Sequence, residues 1–548
     1  MLGLWGLLRN ALYPAPFRVN IEYADGPARK ASEPLRELIS THCPSIMGGS
    51  APAPTQWLPT GHLQTLWSAV GDFASIDRVR YERVAFVTPD GGTLSLDIAP
   101  PQLASADAAT GDTPTVLVLH GLTGGSVRNC VSKLSAPKAA GGYGFRCIVL
   151  NARGCAGTPL TTPQLYSASN TVDVESALLF ITKMYPEAPI VGIGFSLGGA
   201  ILAKYMGQQG RQTPLIGAVT IGAPFDLAAT SHALESGWHS WLYSKAMGSN
   251  LKKIVRRHIN ALALRPSLWY SIEMLTGAKV ASEDSPPPPP PKETTPTPTP
   301  GTLRFMDHHV VAQVGGLPSP YGEFPFESAE AYYRYGSATN YIADVQRPFL
   351  ALNADDDPIV PLCELTSLRQ CVQHNANVVI AHTHCGGHLG WFAGSHATRW
   401  LHHPVNEFIA ALFDEYEHHK TKRAATGLGS GGPALDKGKR GNIDSRTVEL
   451  EVFPLSALPA VMGSVDEPEH LQTKGTQTAW LRTQVLEHLP LVHPADSPVL
   501  RGTGKDLPKG ELLRCNLVYD SLRPEIGYIA LPKDVDVGTC AQGDVTEA

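Results

Sequence analysis

The sequence predicts an α/β fold, a doubly wound and mostly parallel β-sheet with helices on both of its faces. Two observations predict it. Short apolar runs, each long enough for one strand, recur along the chain, and segments with helical periodicity lie between several of them. Alternation of strands and helices favours parallel strands whose connecting helices cover both faces of the sheet.

The predicted core strands are continuous apolar runs, as expected of strands that are buried on both faces. Ahead of them, residues 81–98 predict an antiparallel hairpin, because two alternating runs flank the turn Pro89-Asp90-Gly91-Gly92. The core strands are expected at residues 115–120, 146–151, 190–194, 216–221, 348–353 and 377–382, and the clearest helices at 171–185 and 197–208.

Size and composition exclude several classes of protein. The chain has 548 residues, of which 43% are hydrophobic and 17% charged, enough apolar material for a large core. Fully disordered, collagen-like and polytopic membrane proteins are thereby excluded. A net charge of −6 argues against a nucleic-acid-binding surface as the main function. The nine irregularly spaced cysteines make a poor disulfide framework, so we expect an intracellular protein, cytoplasmic or peripherally membrane-associated.

A G-x-S-x-G motif spans residues 194–198, directly after an apolar run and directly before a helical segment. The glycines allow a sharp strand-to-helix turn that exposes the serine oxygen at the positive end of the helix. This context predicts that Ser196 is a nucleophile. The alternative is a structural serine in an ordinary strand-to-helix turn.

A nucleophilic serine needs a base and an acid that orients the base, and in this architecture they follow the serine in the order acid, histidine. Three consecutive aspartates follow a predicted strand, at the carboxyl edge where such sites form. We choose Asp357 as the acid and keep Asp356 as the alternative. The remaining aspartates are expected to cap the turn.

His388 follows two glycines in the loop after the last predicted strand, and this loop can reach the nucleophile. A metal site is the alternative, because His and Cys are zinc ligands. No complete ligand set with familiar spacing is present, so the sequence predicts neither a metal nor a cofactor. The residues that the alternative would use are His382, His384, Cys385 and His388.

Acyl transfer also needs N–H donors for the developing oxyanion. The glycine-rich loop 120–125 follows the first predicted parallel strand and should lie beside the nucleophile turn. The backbone N–H groups of Leu122 and Leu197 are the expected pair, with Thr123 as the alternative to Leu122. A phosphate-binding loop is disfavoured because neither G-x-G-x-x-G nor G-K-[ST] is present.

With these elements in place, the chain resembles the α/β-hydrolase superfamily. Six motifs carry a narrower resemblance, namely G-H-L-Q-T-L-W, H-G-L-T-G-G, N-A-R-G-C-A-G, G-F-S-L-G-G, N-A-D-D-D-P-I-V-P and G-G-H-L-G-W-F. By these motifs the chain is similar to the ABHD1/2/3 and YheT-like group and to the yeast medium-chain fatty acid ethyl ester synthase/esterases. The resemblance covers about residues 55–415 without the proline-rich insertion.

The resemblance implies a Ser196–Asp357–His388 triad and hydrolysis of carboxylic esters, through an acyl-enzyme on Ser196. The substrate would be an acylglycerol or a short- to medium-chain acyl ester, and contact with a membrane or lipid droplet is a further expectation. A second hypothesis is an alcohol O-acyltransferase that makes ethyl esters from acyl-CoA. A third is a non-enzymatic lipid- or protein-binding member of the fold. In the motif N-A-R-G-C-A-G, Arg153 is expected to pair internally.

The motifs also define the domain organisation. We expect one catalytic domain at residues 55–419, with an inserted helical lid at about 228–345. Nine prolines crowd into residues 286–300, which favours an extended, solvated insertion at about 281–301. The other expected segments are an apolar N-terminal segment at 1–54, either an interfacial helix or a helix packed on the body, a flexible linker at 420–445 and a partly ordered extension at 446–548, with strands at 448–453 and 512–519.

Overall fold

The computed structural model describes residues 16–47, 52–71, 73, 79–88, 90–104, 111–124, 129–278, 298–318, 322–425, 515–519 and 528–531. A single large β-sheet and a two-stranded ribbon organise these residues. In chain order the strands are β1 Val19–Glu22, β2 Tyr81–Val87, β3 Thr93–Ala99, β4 Thr115–Leu119, β5 Arg146–Asn151, β6 Ile190–Phe195, β7 Leu215–Ile221, β8 Phe349–Ala354, β9 Val378–Thr383, β10 Phe392–Ala393, β11 Thr398–Arg399, β12 Cys515–Tyr519 and β13 Tyr528–Leu531.

Helices of very different length connect these strands. They are α1 Ala28–Ala31, α2 Glu33–His42, α3 Gly61–Val70, α4 Asn129–Ser135, α5 Val172–Met184, α6 Leu197–Gln209, α7 Leu227–Glu235, α8 Trp238–Arg257, α9 Ile259–Leu262, α10 Trp269–Thr276, α11 Leu303–Met306, α12 Ala312–Val314, α13 Ala329–Gly336, α14 Leu362–Val372 and α15 His402–Ala425. A π-helical turn spans Asp307–Val311. The 3₁₀ turns are Pro101–Leu103, Lys138–Ala140, Gly210–Gln212, Pro266–Leu268, Ala338–Asn340 and Ile342–Asp344.

The large sheet has the strand order β1-β9-β8-β7-β6-β4-β5-β3-β2-β12-β13. Its six central strands, from β9 to β5, are parallel to one another. The hairpin β2–β3 adds to β5 in antiparallel register. The predicted mostly parallel sheet with an antiparallel hairpin is therefore confirmed, and each predicted core strand lies within one residue of the observed one.

The core strands are mostly apolar because both faces of the sheet are covered. Val116 and Val118 of β4 belong to one cluster of buried side chains, together with residues of α2, α4 and α15. Leu117 and Leu119 belong to the cluster on the other face, together with residues of α5, α6 and α7. Successive strand residues point to opposite faces, so a strand covered on both sides is apolar at successive positions instead of at alternate ones.

The predicted inserted lid corresponds to the segment between β7 and β8, and it is helical over most of its described residues. It runs from α7 to the 3₁₀ turn at Ile342–Asp344. Its role as a lid stays a prediction. Residues 281–297 of the proline-rich insertion lie outside the described residues. None of the helices in the described part of the chain has the length and apolar character needed to cross a membrane.

Two features of the fold differ from the sequence prediction. Strand β1, in the N-terminal segment, pairs antiparallel with β9 at the edge of the sheet and was not expected. The prediction of a flexible linker from residue 420 is wrong for its first residues, because α15 continues to Ala425. Good helix formers fill this stretch, and the first glycine comes only at Gly427.

The predicted strand at 512–519 is observed as β12, which pairs with β2. The predicted strand at 448–453 and the apolar stretch at residues 1–15 lie outside the described residues.

Candidate active site

Ser196 lies in the sharp turn between β6 and α6, with backbone angles of φ 50° and ψ −122°. The two motif glycines make this turn possible. A Cβ atom on Gly198 would lie 2.5 Å from the carbonyl oxygens of Leu119 and His120, and a Cβ on Gly194 would lie 2.5 Å from the Cα of Gly199. Because only glycine tolerates such contacts, the motif seats the serine directly beside the end of β4.

His388 contacts both of the other residues predicted for the site. Its Nε2 lies 2.9 Å from Oγ of Ser196, and its Nδ1 lies 2.8 Å from Oδ2 of Asp357. The imidazole is buried, and its backbone N–H donates to Oγ1 of Thr65 at 2.8 Å. With Nδ1–H donated to the carboxylate, Nε2 can accept the proton of the serine hydroxyl.

Asp357 has a separate partner for each carboxylate oxygen. Oδ1 accepts hydrogen bonds from the backbone N–H groups of Ile359 at 2.8 Å and Val360 at 3.0 Å. Oδ2 is left for the imidazole of His388. The two backbone donors fix the rotation of the carboxylate, so the oxygen that faces the histidine is held in place.

The other two aspartates of the cluster contact different groups. Oδ1 of Asp356 accepts the N–H of Gly387 at 2.8 Å and so anchors the loop that carries the histidine. Burial raises the pKa of Asp356 to about 6, although the backbone N–H groups of the loop counteract part of that rise. Oδ1 of Asp355 lies 2.6 Å from Nδ1 of His382. Asp355 and Asp356 were expected to cap the turn, but their side chains instead contact His382 and the loop of His388.

The loop after β4 lies against Ser196. A Cβ atom on Gly121 would be 3.3 Å from Cβ of Ser196. The N–H of Thr123, a residue with φ 55°, donates to the hydroxyl oxygen of Tyr166. Among the described residues, the N–H groups of Leu122 and Leu197 have no acceptor. Because the N–H of Thr123 is already bound to Tyr166, the geometry favours Leu122 over Thr123 as the predicted N–H donor for an oxyanion.

His120 holds this loop from its other side. Its Nδ1 lies 2.7 Å from the carbonyl oxygen of Gly121, and its Nε2 accepts the N–H of Ala152 at 3.2 Å. Burial lowers the pKa of His120, which favours the neutral ring that this pair of contacts requires. Its ring meets that of Tyr166 edge-on, with 5.9 Å between centroids. Sequence reasoning missed Tyr166, because it lies beyond the motif N-A-R-G-C-A-G, in an irregular part of the segment between β5 and α5 that no motif marks.

Two side chains of the metal alternative contact each other, with 3.3 Å between Nε2 of His384 and Sγ of Cys385, and the others have separate partners. Nε2 of His382 lies 3.0 Å from Oε1 of Glu22, and its Nδ1 is taken by Asp355. Nδ1 of His384 accepts the N–H of Arg18 at 3.2 Å. Within the part of the chain that the structure describes, no three His, Cys, Asp or Glu side chains are arranged to hold a metal ion.

The predicted internal pairing of Arg153 is confirmed. Its guanidinium is fully buried and contacts the carboxylates of Asp90 and Asp173, with shortest N–O distances of 2.5 and 2.7 Å. The pair of carboxylates joins the loop after β5 both to the turn of the β2–β3 hairpin and to α5. Arg153 is thus part of the scaffold behind the site.

Comparison with known proteins gives the same fold. A family model described as "alpha/beta hydrolase fold" matches residues 114–251. The Embryogenesis-associated protein EMB8 of Picea glauca is 30% identical over 359 residues, covering 64% of this chain and 70% of the relative. The chain belongs to the α/β-hydrolase family. The segment of this α/β-hydrolase that the family model matches contains Ser196 and the loop after β4. Asp357 and His388 lie later in the chain, outside that segment.

Two further relatives of this α/β-hydrolase come from Saccharomyces cerevisiae. Monoacylglycerol lipase is 29% identical over 427 residues, covering 70% of this chain and 85% of the relative. Medium-chain fatty acid ethyl ester synthase/esterase 2 is 26% identical over 426 residues, covering 69% of this chain and 89% of the relative. These relatives confirm the family resemblance that the motifs carry.

Proposed function

We propose that this α/β-hydrolase is a serine carboxylic ester hydrolase of the esterase or acylglycerol lipase type. The observation that supports the proposal most directly is the chain of hydrogen bonds from Oγ of Ser196 through His388 to Asp357, with distances of 2.9 and 2.8 Å. An ordinary structural serine in a strand-to-helix turn needs neither a buried histidine nor a buried carboxylate behind it.

In the acylation step, Oγ of Ser196 attacks the carbonyl carbon of the ester while Nε2 of His388 accepts its proton. The carboxylate of Asp357 stabilises the resulting imidazolium. The negative charge that develops on the carbonyl oxygen is held by the N–H groups of Leu122 and Leu197. Collapse of the tetrahedral intermediate breaks the ester bond, and the alcohol leaves with the proton from Nε2.

In the deacylation step, water takes the position of the departed alcohol. His388 removes a proton from the water as its oxygen attacks the acyl carbonyl carbon, and the same N–H groups hold the second oxyanion. The bond between the acyl group and Oγ then breaks, and the proton returns from Nε2 to Oγ of Ser196. The products are a carboxylic acid and free enzyme.

The substrate class follows from the relatives rather than from the site. One relative is named a monoacylglycerol lipase and another a medium-chain ester synthase/esterase. We assign short- to medium-chain acyl esters, including acylglycerols, as the substrates of this chain.

The decisive experiment replaces the nucleophile. Ser196→Ala should abolish hydrolysis of soluble esters and labelling by a fluorophosphonate. Ser395→Ala is the matched control, because Ser395 is an exposed serine with no predicted role. Labelling that persists in Ser196→Ala would refute the nucleophile. A folded wild-type protein that neither reacts with the probe nor hydrolyses esters from acetate to palmitate would favour the non-enzymatic alternative.

A second candidate function is transfer of the acyl group to an alcohol, favoured by the printed name of the ester synthase/esterase relative. It shares the acyl-enzyme and differs only in whether an alcohol or water attacks it. Incubation with a medium-chain acyl-CoA and ethanol distinguishes the two. Formation of an ethyl ester would support transfer, and free acid alone at high ethanol concentration would refute it.

A further inference from the structure

Helix α3 has its polar face turned inward. Gln64 and Thr65 are buried. Gln64 accepts the N–H of Phe392 at 2.8 Å, and Thr65 accepts the N–H of His388 at the same distance. Ser68 donates to the carbonyl oxygen of Leu389 at 2.9 Å. These contacts hold the loop that carries the histidine.

The opposite face of α3 is apolar and open to solvent. Leu63, Leu66 and Val70 are 40%, 53% and 67% exposed. Their spacing of three and four residues places them on one side of the helix. A helix on the surface of a globular protein normally shows the reverse pattern, with its apolar side chains toward the core. We call these three side chains the α3 stripe.

More apolar side chains flank the α3 stripe. The exposed ring of Trp57 contacts that of Trp67 edge-on, with 4.9 Å between centroids. At the other end of α3, Nδ1 of His62 lies 3.0 Å from the hydroxyl of Tyr243 in α8. Trp241 and Leu242, next to that tyrosine, are also exposed. Exposed apolar side chains gathered on adjoining elements in this way typically mark an interaction site.

The charged side chains of α8, the helix that contacts the start of α3, have one sign. Helix α3 contains no charged residue, and α8 contains five Lys and Arg residues but no Asp or Glu. The ammonium of Lys245 lies 5.3 Å from the ring centroid of Trp241. This positive charge is local, because the whole chain carries a net charge of −6. Indole rings and leucines beside lysines suit the boundary between anionic headgroups and acyl chains.

We propose that the α3 stripe, with Trp57, Trp241 and Leu242, docks this protein onto a phospholipid bilayer that contains anionic lipid. Leucine and tryptophan side chains enter the acyl boundary while the cations of α8 contact the headgroups. Because the inner face of α3 holds the loop of His388, docking brings the site to the lipid surface. The usefulness of that position rests on the proposed ester hydrolysis, whereas the docking itself does not.

The test is therefore a binding assay in catalytically silenced protein. Full-length Ser196→Ala is sedimented with vesicles of phosphatidylcholine alone and of phosphatidylcholine mixed with phosphatidylserine. The double substitution Leu63→Gln and Leu66→Gln is compared with Met47→Gln. Met47 is similarly exposed at 49% but lies in the segment beside α15. Thermal melting of each variant checks that it is folded.

We expect binding to the mixed vesicles that weakens with added salt and falls about tenfold or more in the double variant, since two leucines lose their burial in lipid. Met47→Gln should bind like the parent. Equal binding by the double variant and the parent, or no preference for the mixed vesicles, would overturn the proposal. Self-association in solution that the double variant abolishes would also overturn it, because the α3 stripe would then join two copies of the chain.

The docking result is independent of turnover. Fluorophosphonate labelling and ester hydrolysis test the proposed function and need protein in which Ser196 is intact. The vesicle assay uses Ser196→Ala, which cannot carry out the proposed reaction. Vesicle binding without ester hydrolysis by the intact protein would therefore contradict the proposed function alone.

Discussion

The backbone N–H of Thr123 donates a hydrogen bond to the hydroxyl oxygen of Tyr166. This contact ties the loop after β4 to the irregular segment after β5. It also takes the Thr123 donor out of the site while the neighbouring N–H of Leu122 stays open among the described residues. Tyr166 is buried and touches no predicted reacting group, so it is a positioning residue.

Tyr166→Phe should lower kcat for a soluble ester by about tenfold while changing KM by less than about twofold. The phenylalanine keeps the packing but leaves the Thr123 N–H without its acceptor, and the neighbouring N–H of Leu122, the proposed oxyanion donor, loses its fixed position. Steady-state kinetics measures the effect. Tyr143→Phe is the control, because Tyr143 packs against the opposite face of the sheet. An unchanged kcat in Tyr166→Phe would contradict the positioning role.

The two candidate acids can be separated by one pair of isosteric substitutions. Asp357→Asn should lower kcat by roughly 10⁴-fold, because the amide neither holds the required imidazole tautomer nor stabilises the imidazolium. Asp356→Asn keeps an oxygen acceptor for the N–H of Gly387, so we expect a loss of less than about tenfold. The ratio of the two kcat values is the measurement. A larger loss in Asp356→Asn would exchange the roles of the two residues.

The buried ion-pair network of Arg153 should dominate the stability of the scaffold behind the site. Arg153→Met leaves the carboxylates of Asp90 and Asp173 without their buried counter-charge, which should lower the free energy of unfolding by about 3–5 kcal/mol. Urea denaturation measures it. Arg153→Lys should lose less, because it keeps the charge but cannot bridge both carboxylates. Equal stability of wild type and Arg153→Met would refute the prediction.

Glu364 should make stability depend on pH. Its carboxyl accepts the N–H of Asp226 at 3.1 Å and contacts the hydroxyl of Thr230, which joins α14 to α7. Burial raises its pKa to about 8, above the ordinary value of 4.5. The folded state therefore retains a proton that the unfolded state releases, and wild type loses stability as the pH rises from 4.5 to about 8.

Glu364→Gln should lack this loss, because an amide does not titrate and can still accept from Asp226 and donate to Thr230. We expect its free energy of unfolding, relative to wild type, to rise between pH 4.5 and about 8 and to level off outside that window. Denaturation curves at several pH values provide the comparison. Parallel pH profiles for the two proteins would show that Glu364 does not titrate in this range.

Much of the fold was predictable because its signals are local. Continuous apolar runs mark strands such as β4 and β6. The glycines around Ser196 mark the sharp strand-to-helix turn, because a side chain at Gly194 or Gly198 would collide with neighbouring backbone atoms. The loops that carry Asp357 and His388 follow from their places after β8 and β9. The pairing of β1 with β9 was not predicted. The alternation of apolar and polar residues in V-N-I-E is a local signal for a strand, but it does not identify the distant strand that becomes its partner.

Local patterns in the sequence predict the order of the elements and the loops on which the candidate residues lie. Which side-chain atoms come into contact depends on the folded arrangement of those elements. Asp355, Asp356 and Asp357 are consecutive, yet their side chains leave one turn in different directions and reach His382, Gly387 and His388. Spacing along a chain determines local geometry, whereas contacts between residues hundreds of positions apart, as between Thr65 and His388, depend on how the whole sheet is packed.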